Sequence, residues 1–352
     1  MMERHRFVAL DAFRGICALL VALFHFPILG WTHAIPLVTN GWLFVDFFFV
    51  LSGFVIATAY EGRLQGDHAL SRFLLRRFGR LWPLHGSILA IFVAIAAAEG
   101  VLGADERHSI PAIWTNLALL QGLGVEPNLT WNDPSWSISV EWTLYLIFAM
   151  LSALSWRRWA FVACAAVGAG MLLFQAPYGA ASTYDYGIFR GLAGFFLGAL
   201  IAHAPRARLN GWVEAAAVAA AVIFVWVGHA LYLAPLVFGL VVYVFAWSQG
   251  PISRMLQRRW PVRLGEWSYS LYMVHALISA GILGLAGHLG VGRVAGHLAT
   301  PTPLRELALL VVYLGLILGI SALTFRFIER PSRSWFNAVA ATRFAAPTAS
   351  EA

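Results

Sequence analysis

Long apolar stretches separated by short polar segments follow one another from Phe7 to Phe327, and this succession limits the possible folds. A membrane-spanning helix needs about 20 predominantly apolar residues. Of all residues, 60% are hydrophobic and 12% are charged, whereas a soluble domain has about twice that charged fraction. We therefore predict an all-α protein, a polytopic transmembrane helix bundle in a lipid bilayer.

Ten apolar segments are candidates for membrane spans. We predict them at residues 7–29, 41–60, 83–102, 134–154, 160–176, 188–203, 213–228, 232–248, 265–286 and 305–327. The first is expected to be a retained helix rather than a cleaved signal peptide, because Asp11 and Arg14 interrupt it. The seventh and eighth are short enough to form a re-entrant pair instead. We predict one membrane domain over residues 1–335 and a disordered cytoplasmic tail over 336–352, which is rich in Ala, Thr and Pro.

The distribution of arginine predicts the orientation of this bundle. All 24 basic residues are arginine. Eighteen of them lie in the segments on the N-terminal side of the predicted spans, and the opposite loops hold only Arg107 and Arg293. Positive residues concentrate on the cytoplasmic side of membrane proteins, so we predict that both termini are cytoplasmic. The same distribution explains the net charge of +7 without a nucleic-acid partner.

Ionisable residues within predicted spans are candidates for function, because a charge at membrane depth is costly unless it is paired or lines a polar cavity. In the first span, Asp11, Arg14 and His25 share one helical face, with Arg14 and His25 about 16 Å apart along the axis. The second span carries Asp46. Each of these residues has a structural alternative, namely an ion pair or a hydrogen bond inside the bundle.

Two further spans carry polar side chains at helical spacing. In the fourth span, Ser137 and Glu141 share a face just after Trp136, and an acid such as Glu141 or Asp46 can orient a histidine such as His25. In the ninth span, Ser268, Tyr272 and His275 line up on one face, although hydroxyls can also simply hold helices together. Arg190 begins the sixth span, where it either binds substrate or caps the bundle. Asp133 and Pro134 predict that the fourth helix starts at residue 134.

A basic cluster precedes the third span. Arg72, Arg76 and Arg80 recur every four residues, and Arg77 lies beside them. Guanidinium groups bind phosphate bidentately, so the cluster favours a phosphate-bearing ligand. The alternative is an anchor to anionic lipid. We predict no metal site, because no typical ligand spacing occurs.

Several motifs together resemble the acyltransferase-3 family of bacterial integral membrane O-acyltransferases, as a membrane domain without the hydrolase-like domain that many members carry. The matching stretches are Leu10–Gly15 with Phe24–His25, Val45–Gly53, Arg76–Pro83, Ser135–Glu141, Ser268–His275 and Glu329–Pro331. Members of the family usually have a second acidic residue after the one that corresponds to Glu141, whereas this chain has Trp142 there. The resemblance covers nearly the whole chain and implies a fold of ten helices.

The resemblance also implies a function. The expected enzyme moves an acyl group, usually acetyl, from acyl-CoA as co-substrate to a hydroxyl of a carbohydrate or glycolipid acceptor in the bacterial inner membrane. By resemblance, Arg14 and His25 occupy the family's arginine-(ten residues)-histidine motif, and Arg76–Arg80 occupy its basic motif. Together with the positions of the acids within spans, this makes His25, Glu141 and Asp46 the predicted catalytic residues, and Arg14 with the basic cluster is predicted to bind acyl-CoA. The predicted acceptor-binding residues are Asp11, Trp136, Ser137, Arg190, Tyr272 and His275. The alternative is a multi-pass transporter or proton-coupled carrier, which would also need buried charges.

Overall fold

The structure is a computed structural model. It describes residues 7–66, 68–175, 182–207, 209–294, 296–299 and 302–344, without the side chains of residues 293, 294 and 299. The helices in the described residues are α1 (Val8–Phe24), α2 (Pro36–Thr39), α3 (Phe44–Tyr60), α4 (Ala69–Ala98), α5 (Ile110–Leu117), α6 (Trp136–Leu151), α7 (Arg157–Gln175), α8 (Gly187–Ile201), α9 (Gly211–Val227), α10 (Ala234–Trp247), α11 (Pro251–Leu256), α12 (Arg259–His288), α13 (Pro303–Thr324) and α14 (Arg330–Arg343). A π-helical turn, Phe325–Glu329, joins α13 to α14.

The predicted all-α class is confirmed, with one small addition. Three short strands, β1 (Ile28–Leu29), β2 (Arg293–Val294) and β3 (His297–Ala299), form a sheet in the order β1-β3-β2. β1 pairs with β3 in parallel, and β2 pairs with β3 in antiparallel. The sequence analysis did not predict these strands, because segments of two or three residues carry no readable alternation of polar and apolar side chains.

Each of the ten predicted spans contains a helix. Five helical stretches are long and apolar enough to cross a membrane by length and composition, and they are Gly41–Tyr60, Ala69–Ala98, Arg157–Gln175, Arg259–His288 and Pro303–Arg343. Three shorter apolar helical stretches are Gly187–Ile201, Gly211–Val227 and Leu231–Trp247. The protein is therefore a multi-pass membrane protein, and the number of ten crossings stays a prediction.

Segments that the arginine distribution assigns to the same side contact each other. At one end of the bundle, Arg157 Nε lies 2.9 Å from Glu61 Oε1, and Arg72 donates to the carbonyl oxygen of Phe344 at 2.5 Å. At the other end, the backbone amide of Thr32 donates to Glu306 at 2.8 Å. These contacts agree with the predicted alternation of loops, whereas the side of the membrane on which each end lies stays a prediction.

Glycines allow the closest helix contacts. Gly15 of α1 and Gly265 of α12 each face the backbone of the other helix, and a Cβ atom at either position would overlap it. Gly53 of α3 faces the carbonyl of Phe195 in the same way, and Gly198 of α8 faces that of Val50. Small residues permit such close approach of membrane helices. The α1–α12 contact brings Arg14 and His25 beside Ser268 and His275, and so builds the site.

Two predicted boundaries are wrong. The predicted disordered tail begins at residue 336, but α14 continues to Arg343 and packs Phe336 against Gly79 of α4. The rest of the predicted tail, residues 345–352, lies outside the described residues. The fourth predicted span begins with a 3-10 turn, Asp133–Ser135, and its N-cap is Asn132. Among the described residues, the Asp133 side chain pairs with Arg107 through Oδ2, and its Oδ1 makes no hydrogen bond to a helix amide.

Candidate active site

A cavity of about 80 Å³ lies among α1, α3, α4, α6 and α12, and three guanidinium groups line it. We call it the arginine cavity, after Arg14, Arg77 and Arg80. Arg14 is fixed by a hydrogen bond from Nε to Ser268 Oγ at 2.7 Å and by a second to the carbonyl of Gly265 at 3.0 Å. Its guanidinium also lies 3.3 Å from Asp11, so the structure brings this predicted pair together.

Glu141 also lines the arginine cavity. Its Oε1 accepts hydrogen bonds from Ser52 Oγ at 2.7 Å and from the Tyr145 hydroxyl at 2.5 Å. No hydrogen bond joins Glu141 to His25 in the described part of the chain. These contacts give no support to the expectation that Glu141 orients His25, and its catalytic role stays a prediction. In this arrangement the carboxylate lies in the same cavity as the positive charges of the arginines.

The basic cluster divides along α4. Arg77 and Arg80 line the arginine cavity, whereas Arg72 and Arg76 do not. Arg77 donates to the Tyr60 hydroxyl at 3.1 Å and lies 5.3 Å from the Tyr60 ring centroid. The Arg80 guanidinium makes no hydrogen bond to the described residues, so its donors are free to bind a ligand. Arg72 holds the end of α14.

Arg190 and Asp46 form a fully buried ion pair. Arg190 donates from Nη2 to Asp46 Oδ2 at 2.6 Å and from Nε to Oδ1 at 3.2 Å. The guanidinium also donates to the carbonyl of Ser182 at 2.9 Å and lies between the rings of Trp42 and Trp136. Neither charged residue lines a described cavity or contacts His25. These contacts support the structural alternative for Asp46 and Arg190 and give their predicted catalytic and substrate-binding roles no support.

His25 follows the last turn of α1 and lines two cavities. One has a volume of about 310 Å³ and includes Trp42 and Trp136, and we call it the tryptophan cavity. The other has a volume of about 840 Å³, and we call it the histidine cavity, since it also includes His33 and His288. His25 Nδ1 lies 3.0 Å from the carbonyl oxygen of Val21. A carbonyl only accepts, so Nδ1 carries the hydrogen and Nε2 keeps a free lone pair.

His275 packs against His25, with ring centroids 4.8 Å apart. It is fully buried, and neither ring nitrogen has a hydrogen-bond partner in the described residues. The hydroxyl of its neighbour Tyr272 donates to the carbonyl of Pro134 at 2.9 Å and then accepts from Ser137 Oγ at 2.7 Å. The structure therefore brings together the predicted residues Ser137, Tyr272, His275 and His25 where α12 meets the start of α6.

Tyr272 and Val45 line both the arginine cavity and the tryptophan cavity. His25 and Asp133 line both the tryptophan cavity and the histidine cavity. The three cavities therefore follow one another through the bundle, from the arginines to the histidines. This arrangement offers phosphate-binding groups at one end and a proton acceptor farther along.

Sequence reasoning missed Glu329 and Arg333 as parts of this region. Glu329 ends the π-helical turn, a feature that often occurs at functional sites. It is 4% exposed, accepts a hydrogen bond from Ser270 Oγ at 2.8 Å and pairs with Arg333 at 3.3 Å. The sequence did contain a signal for Glu329, because this residue belongs to one of the motifs that carry the family resemblance.

Comparison with known proteins identifies the class of this chain. Residues 7–326 match the family described as an acyltransferase domain, acyltransferase-3. The chain is 26% identical over 300 residues to acyltransferase MdmB of Streptomyces mycarofaciens, an alignment that covers 74% of each chain. It is 36% identical over 150 residues to protein 2 in the picA locus of Rhizobium radiobacter, and this alignment covers 40% of this chain and 76% of that protein. No solved structure matches.

The chain belongs to the acyltransferase-3 domain family, because the match covers more than half of its length. It is accordingly an O-acyltransferase embedded in a membrane. The family match favours this enzyme class over the alternative transporter.

Proposed function

We propose that the enzyme transfers an acetyl group from acetyl-CoA to a hydroxyl of a carbohydrate or glycolipid acceptor, in the bacterial inner membrane. The observation that carries the proposal is the free Nε2 of His25, a residue that lines the tryptophan cavity, which shares Val45 and Tyr272 with the arginine cavity. A histidine suits this reaction because its ordinary pKa lies near neutrality, so it can take and return a proton.

The arginine cavity supports an acyl-CoA donor. Arg14, Arg77 and Arg80 present guanidinium groups, which bind phosphate oxygens through charge-assisted hydrogen bonds. Glu141 lowers the net positive charge of the cavity. The phosphates and the thioester of an acyl-CoA lie at opposite ends of its pantetheine arm, so the separation of about 16 Å between Arg14 and His25 along α1 suits a single donor molecule.

The proposed reaction is a direct transfer. The acceptor hydroxyl oxygen attacks the thioester carbonyl carbon while His25 Nε2 takes the hydroxyl proton. The tetrahedral intermediate then collapses, the carbon–sulfur bond breaks, and the new ester forms. The imidazolium returns the proton to the departing sulfur, so CoA leaves as its thiol and His25 is neutral again. No acyl-cysteine is needed, because Cys17 is buried at α1 and Cys164 lies on α7 away from the three cavities.

The test is acetyl transfer from radiolabelled acetyl-CoA to glycan in membranes that contain the wild type or His25→Ala at matched protein levels. We expect the wild type to label glycan and the variant to lose at least about 100-fold in rate, the usual contribution of a general base. His229→Ala is the matched control, since His229 is exposed and lines none of the three cavities. Equal labelling by His25→Ala would show that His25 is not the base.

A further inference from the structure

The loop between α4 and α6 is built as an ordered structure around its last residues. The Trp131 amide donates to the carbonyl of Arg107 at 3.1 Å, and its indole donates to the carbonyl of Ser109 at 3.2 Å. Asn132 then donates from Nδ2 to the carbonyl of Met273 at 3.3 Å, two residues before His275. Long ordered loops in compact proteins are commonly functional. These bonds fix the next residue, Asp133, in the lining of two cavities that His25 also lines.

Asp133 stands out among the acids of this region. It lines both the tryptophan cavity and the histidine cavity. His25 is the other ionisable residue that lines both of these cavities. Its Oδ2 forms an ion pair with Arg107, whose side chain is 56% exposed. Its Oδ1 is inaccessible to solvent and has no hydrogen-bond partner among the described residues. The side chain as a whole is 26% exposed, so a hydroxyl in the cavity can reach the carboxylate, and a carboxylate oxygen that lacks a partner favours binding of such a donor.

The histidine cavity has the size and chemistry of a carbohydrate site. Its volume of about 840 Å³ falls within the range of ligand sites, roughly 300–1,000 Å³. Polar groups line it on several sides, with Glu99 and His288 on one wall and Arg107 and Asp133 on another. Trp131 and Phe92 add aromatic surface. Sugars present both hydroxyls and apolar ring faces, and this lining offers partners for both.

We propose that the histidine cavity binds the acceptor as a glycan, and that Asp133, held by Arg107, accepts a hydrogen bond from an acceptor hydroxyl next to the one that reacts. This inference rests on the proposed function and names the acceptor's site and its recognition residue. Asp133 then fixes the sugar so that the reacting hydroxyl faces His25 Nε2. The donor, in contrast, is bound among the arginines and does not depend on Asp133.

The kinetic test uses Asp133→Asn, with lipid-linked glycan extracted from membranes that lack the enzyme as the acceptor probe. Asparagine keeps an oxygen acceptor but loses the negative charge, so the hydrogen bond to the hydroxyl weakens; the KM for glycan is expected to rise roughly fivefold or more, and the KM for acetyl-CoA is expected to stay within about twofold. Glu106→Gln is the matched control, because Glu106 lies in the same loop, is exposed and accepts a hydrogen bond from Asn128, and neither residue lines any of the three cavities. An unchanged KM for glycan, or equal rises in both KM values, would overturn the proposal.

A second measurement needs no acyl transfer and therefore separates this proposal from the proposed function. In a chain whose Cys17 and Cys164 are replaced by alanine, Ala280→Cys places a thiol in the histidine cavity, and Ala104→Cys places one outside it. We expect the extracted glycan to slow maleimide labelling of the first thiol and not of the second. Protection without any acetyl transfer would support the acceptor site while contradicting the donor or the reaction. Equal labelling with and without glycan would overturn the acceptor site itself.

Discussion

Asp46 and Arg190 are both fully buried, so each residue depends on the other for charge compensation. We expect Asp46→Asn to destabilise the protein by about 3–5 kcal/mol, because it leaves the Arg190 guanidinium buried without its counter-charge. The midpoint of thermal unfolding in detergent checks this. The double variant Asp46→Asn with Arg190→Gln is expected to recover part of the loss, since no unpaired charge remains.

The exposed pair of Asp105 and His108 is the control for this prediction. Asp105→Asn is expected to change stability by no more than about 1 kcal/mol, because exposed ion pairs contribute little. If Asp46→Asn were as stable as the wild type but inactive in acetyl transfer, the structural account would fail and the predicted catalytic role of Asp46 would regain support.

At the level of single residues, the sequence located the buried charges better than it paired them. Hydropathy alone marks Asp46 and Arg190 as ionisable residues in apolar surroundings, and the cost of burying them predicts that they have partners. Spacing along one helix cannot give the rotation of that helix against its neighbours, which packing decides. Glu141 was therefore assigned to His25, whereas α6 turns it towards Ser52 and the arginines.

Helices α3 and α8 approach each other through Gly53 and Gly198, and a Cβ atom at either position would overlap the backbone of the opposite helix. We expect Gly198→Ala to destabilise the protein by about 1–3 kcal/mol, because the helices must move apart. Gly170→Ala is the matched control, since a Cβ atom there meets nothing within 4 Å, and alanine favours the helix by up to about 1 kcal/mol.

The fraction of protein that stays monodisperse after heating, measured by size-exclusion chromatography, distinguishes these two glycine variants. Equal heat resistance of Gly198→Ala and Gly170→Ala would show that the α3–α8 contact tolerates a wider spacing.

At the level of elements, the long apolar helices were predictable and the short polar ones were not. Bilayer thickness fixes the length of apolar runs, so each predicted span contains a helix. Helix α14 has no such signal, because its stability comes from packing Phe336 against Gly79 and from the bond between Arg72 and Phe344. The Asp133–Ser135 turn was not predicted for a related reason. The sequence pattern favours Asp133 as a helix cap, whereas in the structure its carboxylate forms an ion pair with Arg107.

Across the whole molecule, the distribution of arginines predicts that the two ends of the chain of cavities face opposite sides of the membrane. Eighteen arginines lie in segments on the side of the termini, and the opposite loops hold two. Moving arginine-rich segments across the bilayer is unfavourable, so that side is expected to stay cytoplasmic. The arginine cavity would then receive its donor from the cytoplasm, and the histidine cavity would receive its acceptor from outside.

Thiol labelling in intact cells tests this orientation. In a background with both native cysteines replaced by alanine, a membrane-impermeant maleimide is expected to label Ala104→Cys in intact cells and Gln257→Cys only after permeabilisation, since both positions are exposed. Labelling of both in intact cells would contradict the alternation of loops, and the reverse pattern would invert the topology.

Sealed vesicles then give an independent check, because acetyl-CoA does not cross membranes. Inside-out vesicles are expected to acetylate glycan when acetyl-CoA is added outside, and right-side-out vesicles are not, because in these the arginine cavity faces the lumen.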